Sequence, residues 1–268
     1  MFKRIDHIGI AVRDITAAAD MFERAYGLTV AVQEEIEDQQ LIAALVPTGN
    51  VRFELMQPTT PDSVIGRYLE RRGEGIHHVC FEVDDIRAEI ETLKGRDVQL
   101  IQGAPREGFV GEVEFIHPRS ARGVLTEIAQ VTRRTETDTD LKLHHITIAT
   151  SDRDEAADTW SKNFGLPVTR KSERANAPIA TAWLDAGDAE VEFAQQTSET
   201  GPLAKAIESR GEGVYGIALE TPDAPSLAEK VTAQGLRVIE DAEGDNVIRI
   251  VHPRDFLGTL VMFLQRPN

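Results

Sequence analysis

A chain of 268 residues has room for one large domain or two of ordinary size. Its formal net charge of −16 argues against nucleic acid or an anionic membrane as a partner, since both bind through basic patches. A single cysteine, Cys80, excludes a disulfide framework within the chain; it fits a reducing compartment, with Cys80 as a small buried apolar residue. No apolar run approaches the roughly 18 residues of a membrane span, and the start, Met1-Phe2-Lys3-Arg4-Ile5-Asp6-His7, has no signal-peptide core. The expectation is a cytoplasmic protein.

The opening stretch Ile5 to Ala11 reads as a strand, in which His7 shares a face with Ile5, Gly9 and Ala11 while Ile8, Ile10 and Val12 form the helix-packing face. An Asp-containing turn and an amphipathic helix from about Ile15 to Tyr26 follow, stopped by Gly27. In the strand Val51 to Met56, Glu54 lies beside Arg52 and Met56, with Phe53 and Leu55 opposite. The run SVIGRYLERR, Ser63 to Arg72, is a connecting helix. Gly73 and Gly75 make a turn, and Ile76 to Val83 is rich in strand formers. On it His78, Cys80 and Glu82 share one face; His77, Val79, Phe81 and Val83 share the other. Asp84-Asp85 caps a helix from about Ile86 to Lys94, Gly95 ends it, and Val98 to Ile101 is the next strand. In Gly123 to Ala129, Glu127 shares its face with Leu125 and Ala129.

The second half repeats the first. His7/His145, Gly27/Gly165 and Gly73/Gly211 share an offset of 138 residues, and His117/His252 one of 135. Arg72-Gly73-Glu74-Gly75 returns as Arg210-Gly211-Glu212-Gly213, His117-Pro118-Arg119 as His252-Pro253-Arg254, and a helix from about Glu155 to Phe164 ends at Gly165. Within each half a weaker repeat of strand, Asp, helix, Gly and strand gives two units. The reading is an α+β fold of four tandem βαβββ modules, with residues 1–131 as one domain, 132–140 as a polar linker and 141–268 as a second, degenerate domain.

Four strand regions of the first half thus carry His7, Glu54, His78 and Glu127. Two neutral imidazoles and two carboxylates make a ligand set for a catalytic divalent ion, with positions left for water or substrate on Co, Mn, Ni or Zn. The second half is an internal control: His7 maps to His145 and Glu54 to Glu192, but His78 maps to Gly216 and Glu127 to Met262. What both halves keep, including His117 and His252, serves the fold; what only the first half has, His78 and Glu127, serves chemistry. His145 and Glu192 are either relics or reach a site across the interface.

These residues resemble the vicinal oxygen chelate superfamily (glyoxalase, bleomycin resistance protein and dioxygenase). Residues 1 to 130 are similar to methylmalonyl-CoA epimerase in particular, through IDHIGIAVRD, FELMQP, PDSVIGRYLERRGEGIHHVCFEVDDI and FIHPRSARGVLTEIAQ; residues 141 to 268 share only the superfamily fold. The resemblance implies paired βαβββ modules closing around one divalent metal held by His7, Glu54, His78 and Glu127. One departure stands out: some epimerases have another carboxylate on the preceding strand, which here is Leu41 to Val46 and has no acid.

The function this implies is a metal-dependent epimerase or isomerase that shifts a proton next to a carbonyl, with Glu54 and Glu127 as the catalytic acid–base candidates. A CoA thioester is the candidate substrate, with Arg67, Arg71, Arg72, Arg119 and Arg122 as candidates for its phosphates, and a homodimer is the candidate assembly. The alternatives are a glyoxalase I-type lyase, an iron dioxygenase and a metal-free drug-binding resistance protein of the same fold.

Overall fold

The computed structural model describes residues 1–135, 137–174, 177–243 and 246–266. The first module is β1 (Arg4–Ala11), α1 (Ile15–Tyr26), β2 (Val32–Ile36), β3 (Leu41–Pro47) and β4 (Arg52–Pro58). The helix α2 (Val64–Arg72) leads to the second: β5 (Gly75–Glu82), α3 (Ile86–Gly95), β6 (Arg106–Glu107), β7 (Gly111–Ile116) and β8 (Thr126–Val131). The third is β9 (Lys142–Ala149), α4 (Arg153–Phe164), β10 (Val168–Glu173), β11 (Ile179–Asp185) and β12 (Glu190–Gln196). After α5 (Pro202–Arg210) comes the fourth: β13 (Gly213–Thr221), α6 (Ala224–Ala233), β14 (Val238–Glu243), β15 (Asn246–Val251) and β16 (Leu260–Gln265). All four modules have the βαβββ order expected of an α+β fold.

The repeat is physical as well as textual. Each module helix starts at an aspartate, Asp14, Asp85, Asp152 or Asp223, whose side chain accepts hydrogen bonds from the first-turn amides. Gly27 and Gly165 close α1 and α4 in the left-handed conformation, at φ 73° and 76°. After α3 the left-handed residue is instead Asp97, at φ 58°. That shift changes the expected strand Val98 to Ile101. It makes one bridge, Leu100 to Ile116, and then turns away at Gly103, whose φ is 80°; the ladder strand of this module is β6.

Among the described residues the sixteen strands form two eight-stranded sheets, one from each half of the sequence. The runs are β2-β3-β4-β1 and β5-β8-β7-β6 in the first, and β10-β11-β12-β9 and β13-β16-β15-β14 in the second. The pairs β1/β4, β5/β8 and β9/β12 are parallel, which the intervening crossovers require.

The contacts divide the chain into two compact units, each drawing on both halves of the repeat. One comprises Met1–Ile5, His78–Arg134 and His145–Gly216; the other comprises Asp6–His77, Thr135–His144 and Ile217–Asn268. In the first, Phe2 stacks on Phe164 at 5.1 Å, and Trp160 lies edge-on to Phe164 and Phe193 at 5.1 and 5.4 Å. In the other, Phe22 lies 5.0 Å from Phe53 and 5.1 Å from Phe256, and Tyr26 5.0 Å from Phe256. Burial of each ring contributes roughly 2–3 kcal/mol, and edge-on pairing adds to it.

The repeated motifs are part of this packing. The Glu74 carboxylate accepts the Arg13 amide at 2.7 Å, and Glu212 accepts that of Ser151 at 2.7 Å. Within each unit a glycine of the other half sits on that turn. Gly258 (φ 65°) leaves no room for a Cβ beside the Glu74 carbonyl, nor Gly123 (φ 82°) beside that of Glu212. The histidines of both His-Pro-Arg motifs cap a short helix, each Nδ1 accepting the amide two residues on at 3.1 Å, in line with a structural role. In the linker, Arg134 forks onto Glu82 and Arg133 stacks 4.8 Å over Phe109. No helix among the described residues is long and apolar enough to cross a membrane.

Candidate metal centre

His7 lies in the middle of β1 and Glu54 in β4. The parallel register sets His7 beside Arg52 and Gly9 beside Glu54. Both side chains are buried, and the His7 Nε2 is 3.3 Å from Glu54 Oε2. The other ring nitrogen is held: Nδ1 donates to Asp6 Oδ2 at 2.8 Å, and Arg52 ion-pairs with the same carboxylate oxygen. Burial alone would raise the Asp6 pKa, but the hydrogen bond to His7 and the charge of Arg52 hold it below the usual carboxylate range. An ionised Asp6 puts the proton on Nδ1 and turns the basic nitrogen, Nε2, toward Glu54, as a carboxylate behind a metal-binding histidine does.

The second module repeats this plan. His78 is in β5 and Glu127 in β8, both buried, with His78 Nε2 3.6 Å from Glu127 Oε2. Cys80 faces Glu127 across the parallel pair, as Gly9 faces Glu54. The residue two positions after each histidine is small, Gly9 in the first module and Cys80 in the second. Cys80 is buried. Phe115, opposite Glu127 in the β7/β8 ladder, lies edge-on to the His78 ring at 5.5 Å and 85°.

So the four expected residues come as two buried His–Glu pairs, each at the same station of its module. An imidazole Nε2 and a carboxylate oxygen in each fit a borderline divalent ion such as Zn, Co, Ni or Mn. Sequence reasoning missed Asp6, Arg52 and Phe115. An acid next to His7 was the one available signal; Arg52 and Phe115 were marked by strand phase alone.

The third module keeps the pair in altered form. His145 Nε2 is 3.5 Å from Glu192 Oε2, but Thr147 stands where the first module has Gly9 and donates its hydroxyl to Glu192 Oε2 at 2.7 Å. The Trp183 ring packs edge-on against His145 at 4.8 Å. Of the arginines considered for phosphates, Arg122 is taken up by Glu212 and Glu155 at 3.1 and 3.2 Å. Arg67 and Arg71 bond backbone carbonyls of their own helix region, and Arg119 is exposed.

The chain belongs to the glyoxalase/bleomycin resistance protein/dioxygenase superfamily, whose family profile matches residues 6–116 and again 144–251. Its N-terminal half is similar to ethylmalonyl-CoA/methylmalonyl-CoA epimerase of Cereibacter sphaeroides, 34% identical over 134 residues, which span 49% of this chain and 100% of that protein. It is also similar to mitochondrial methylmalonyl-CoA epimerase of Homo sapiens, 33% identical over 129 residues, 47% of this chain and 73% of that protein. Over its whole length the chain superposes on a mutant of 4-hydroxymandelate synthase from Streptomyces coelicolor with a TM-score of 0.79, covering 100% of this chain and 94% of that one. At 14% identity that match shows a shared fold.

Proposed function

We propose that the protein is a divalent-metal-dependent epimerase or isomerase that moves a proton next to a carbonyl, acting on a CoA thioester of the methylmalonyl class. The observation that carries this reading is the recurrence of one buried His–Glu pair at the same station of two consecutive modules. The epimerase relatives of the N-terminal half supply the substrate class.

His7, Glu54, His78 and Glu127 are the residues that would hold the ion, which when bound polarises the substrate carbonyl and so acidifies the neighbouring C–H. Glu54 and Glu127 are the acid–base pair: one carboxylate takes the α-proton and the other delivers a proton to the opposite face. Their burial keeps bulk water from competing for the carbanion. Asp6 fixes the His7 ring and is not consumed in the reaction.

A glyoxalase I-type lyase is the second reading. It is favoured by β3, which carries no acid, so the proton shift falls to Glu54 and Glu127 alone. The test is metal analysis of protein purified without added metal, paired with His78→Ala, followed by assays of methylmalonyl-CoA epimerisation and hemithioacetal turnover. About one equivalent of divalent metal, lost in His78→Ala, together with epimerisation, is the expected result. Hemithioacetal turnover alone selects the lyase. Protein that neither contains nor takes up Co, Mn, Ni or Zn overturns both and leaves a binding protein of the same fold.

A further inference from the structure

We propose that Arg106 is a specificity-determining residue of the first-half site, where it recognises an anionic oxygen group of the substrate. The proposal rests on the functional reading above and adds the residue that would select charged thioesters.

The chain has 45 acidic and 29 basic residues, so arginines near its sheets tend to find carboxylates. Arg4 and Arg134 bind Glu82, Arg87 binds Glu112 and Arg122 binds Glu212. Arg106, like Arg67 and Arg71, finds no carboxylate, but it rests instead on the ring that meets His78. Among the described residues it has no ion-pair partner: its guanidinium lies 5.7 Å over the centroid of the Phe115 ring and makes one 3.3 Å hydrogen bond to the Glu107 carbonyl. The same Phe115 ring is edge-on to His78. Arg106 pairs with Val113, which puts it on the face of Phe115 and Glu127. Glu107 and Glu112 are on the opposite face, where Glu112 is already paired with Arg87.

The hairpin that carries Arg106 is pinned. The Gly108 amide bonds the Gly111 carbonyl at 2.8 Å, and the Thr132 and Arg133 amides bond the Val110 carbonyl at 2.9 and 3.1 Å. Phe109 at the tip is buried under Arg133. A guanidinium held half-buried on an aromatic ring is pre-organised for an anion, and Arg suits a carboxylate or phosphate better than Lys through its planar fork.

The second half again acts as a control. The 135-residue offset sets Val113 on Ile248, and the β14/β15 ladder pairs Ile248 with Asp241 just as β6/β7 pairs Val113 with Arg106. Asp241 and Ile250 therefore stand where Arg106 and Phe115 stand, in the module that also has Gly216 and Met262 in place of His78 and Glu127. Arg106 and Phe115 are lost together with the ligand pair, which ties them to the site rather than to the fold.

The test compares wild type, Arg106→Met and Arg106→Lys. Turnover of methylmalonyl-CoA should show a KM raised roughly tenfold or more in Arg106→Met, with kcat within about threefold and partial recovery in Arg106→Lys. Calorimetric titration with malonyl-pantetheine and with propionyl-CoA separates the two sources of anion. A loss for the first assigns Arg106 to the acyl carboxylate, and a loss for the second assigns it to the CoA phosphates. Epimerisation with unchanged KM and unchanged titrations in Arg106→Met overturns the proposal and keeps the functional reading. Titrations weakened by Arg106→Met in a protein that does not epimerise overturn the reading and keep the anion site. A wild type that neither binds these probes nor turns over substrate overturns both.

Discussion

Gly9 and Glu54 face each other across the parallel β1/β4 pair, and the same station of the third module holds Thr147 facing Glu192, with hydroxyl and carboxylate 2.7 Å apart. At that station the first module has no side chain beside its carboxylate partner, and the third has a hydroxyl bonded to it. The buried Glu192 is held below the usual carboxylate range; burial opposes this, and the His145 and Thr147 hydrogen bonds outweigh it. Glu192 is thus tied to Thr147 within its own module.

Gly9→Thr should reproduce this in the first module. The expected result is about tenfold weaker divalent-metal binding by competition with a chromophoric chelator, since a hydroxyl–carboxylate hydrogen bond is worth on the order of 1–1.5 kcal/mol. Gly9→Ala, which adds bulk without a donor, should stay within about threefold of wild type. Equal losses in both variants would show that volume, not hydrogen bonding, sets the role of Gly9.

Asp6 is asked to orient His7 and to neutralise Arg52. Asp6→Asn strips Arg52 of the carboxylate it faces, at a cost of about 3 kcal/mol by urea unfolding, and it weakens metal binding by 10- to 100-fold through the mis-set imidazole. Adding Arg52→Met should restore most of the stability and none of the metal affinity. Recovery of both together would mean that Asp6 acts only on folding.

Much of the fold was legible in the residues because its signals are local. Period-two alternation puts His7, Glu54, His78 and Glu127 on single strand faces, and an aspartate before an apolar helical run marks all four module helices. Val98 to Ile101 read as a strand from composition, but the left-handed Asp97 and Gly103 at its ends leave only one bridge. The pairing of modules into units was not legible. Apolar patterning shows that Phe22 or Trp160 is buried, yet nothing near them in the sequence names Phe256 or Phe193 as the ring they meet. Arg106 was passed over for the same reason: its importance comes from Phe115, which is nine residues away and reached by a hairpin.

Glu82 links stability to pH. Hydrogen bonds from Arg134, then from Arg4, overcome the cost of burial and hold its carboxyl at about 2, below the ordinary 4.5. A depressed pKa contributes stability that is full above the unfolded value and is lost as pH falls from about 4.5 through about 2. Because Arg134 is half exposed, solvent screening reduces the contribution to about 1–2 kcal/mol. Glu82→Gln should be less stable than wild type by about that amount at pH 7, and the gap should narrow between pH 5 and pH 3. A gap independent of pH would assign the loss to packing.

The contact of Gly258 with the Glu74 turn, mirrored by Gly123 on Glu212, brings the two halves of the repeat backbone to backbone within each unit. Both glycines are left-handed, and a Cβ at either would overlap a carbonyl of the opposing turn. Gly165 offers the comparison: it is left-handed as well, at φ 76°, but a Cβ there comes no nearer than 3.9 Å to a neighbour, the Nη1 of Arg96. Gly165→Ala should therefore cost only the backbone term, about 1–2 kcal/mol. Gly258→Ala and Gly123→Ala should cost clearly more, about 3 kcal/mol or above, because the obstacle is backbone that a rotamer change cannot move. Melting temperatures of the three variants decide the matter. A drop for Gly123→Ala and Gly258→Ala no larger than that for Gly165→Ala would mean that the turns yield, and that the aromatic clusters of Phe256 and Phe164 alone hold the halves together.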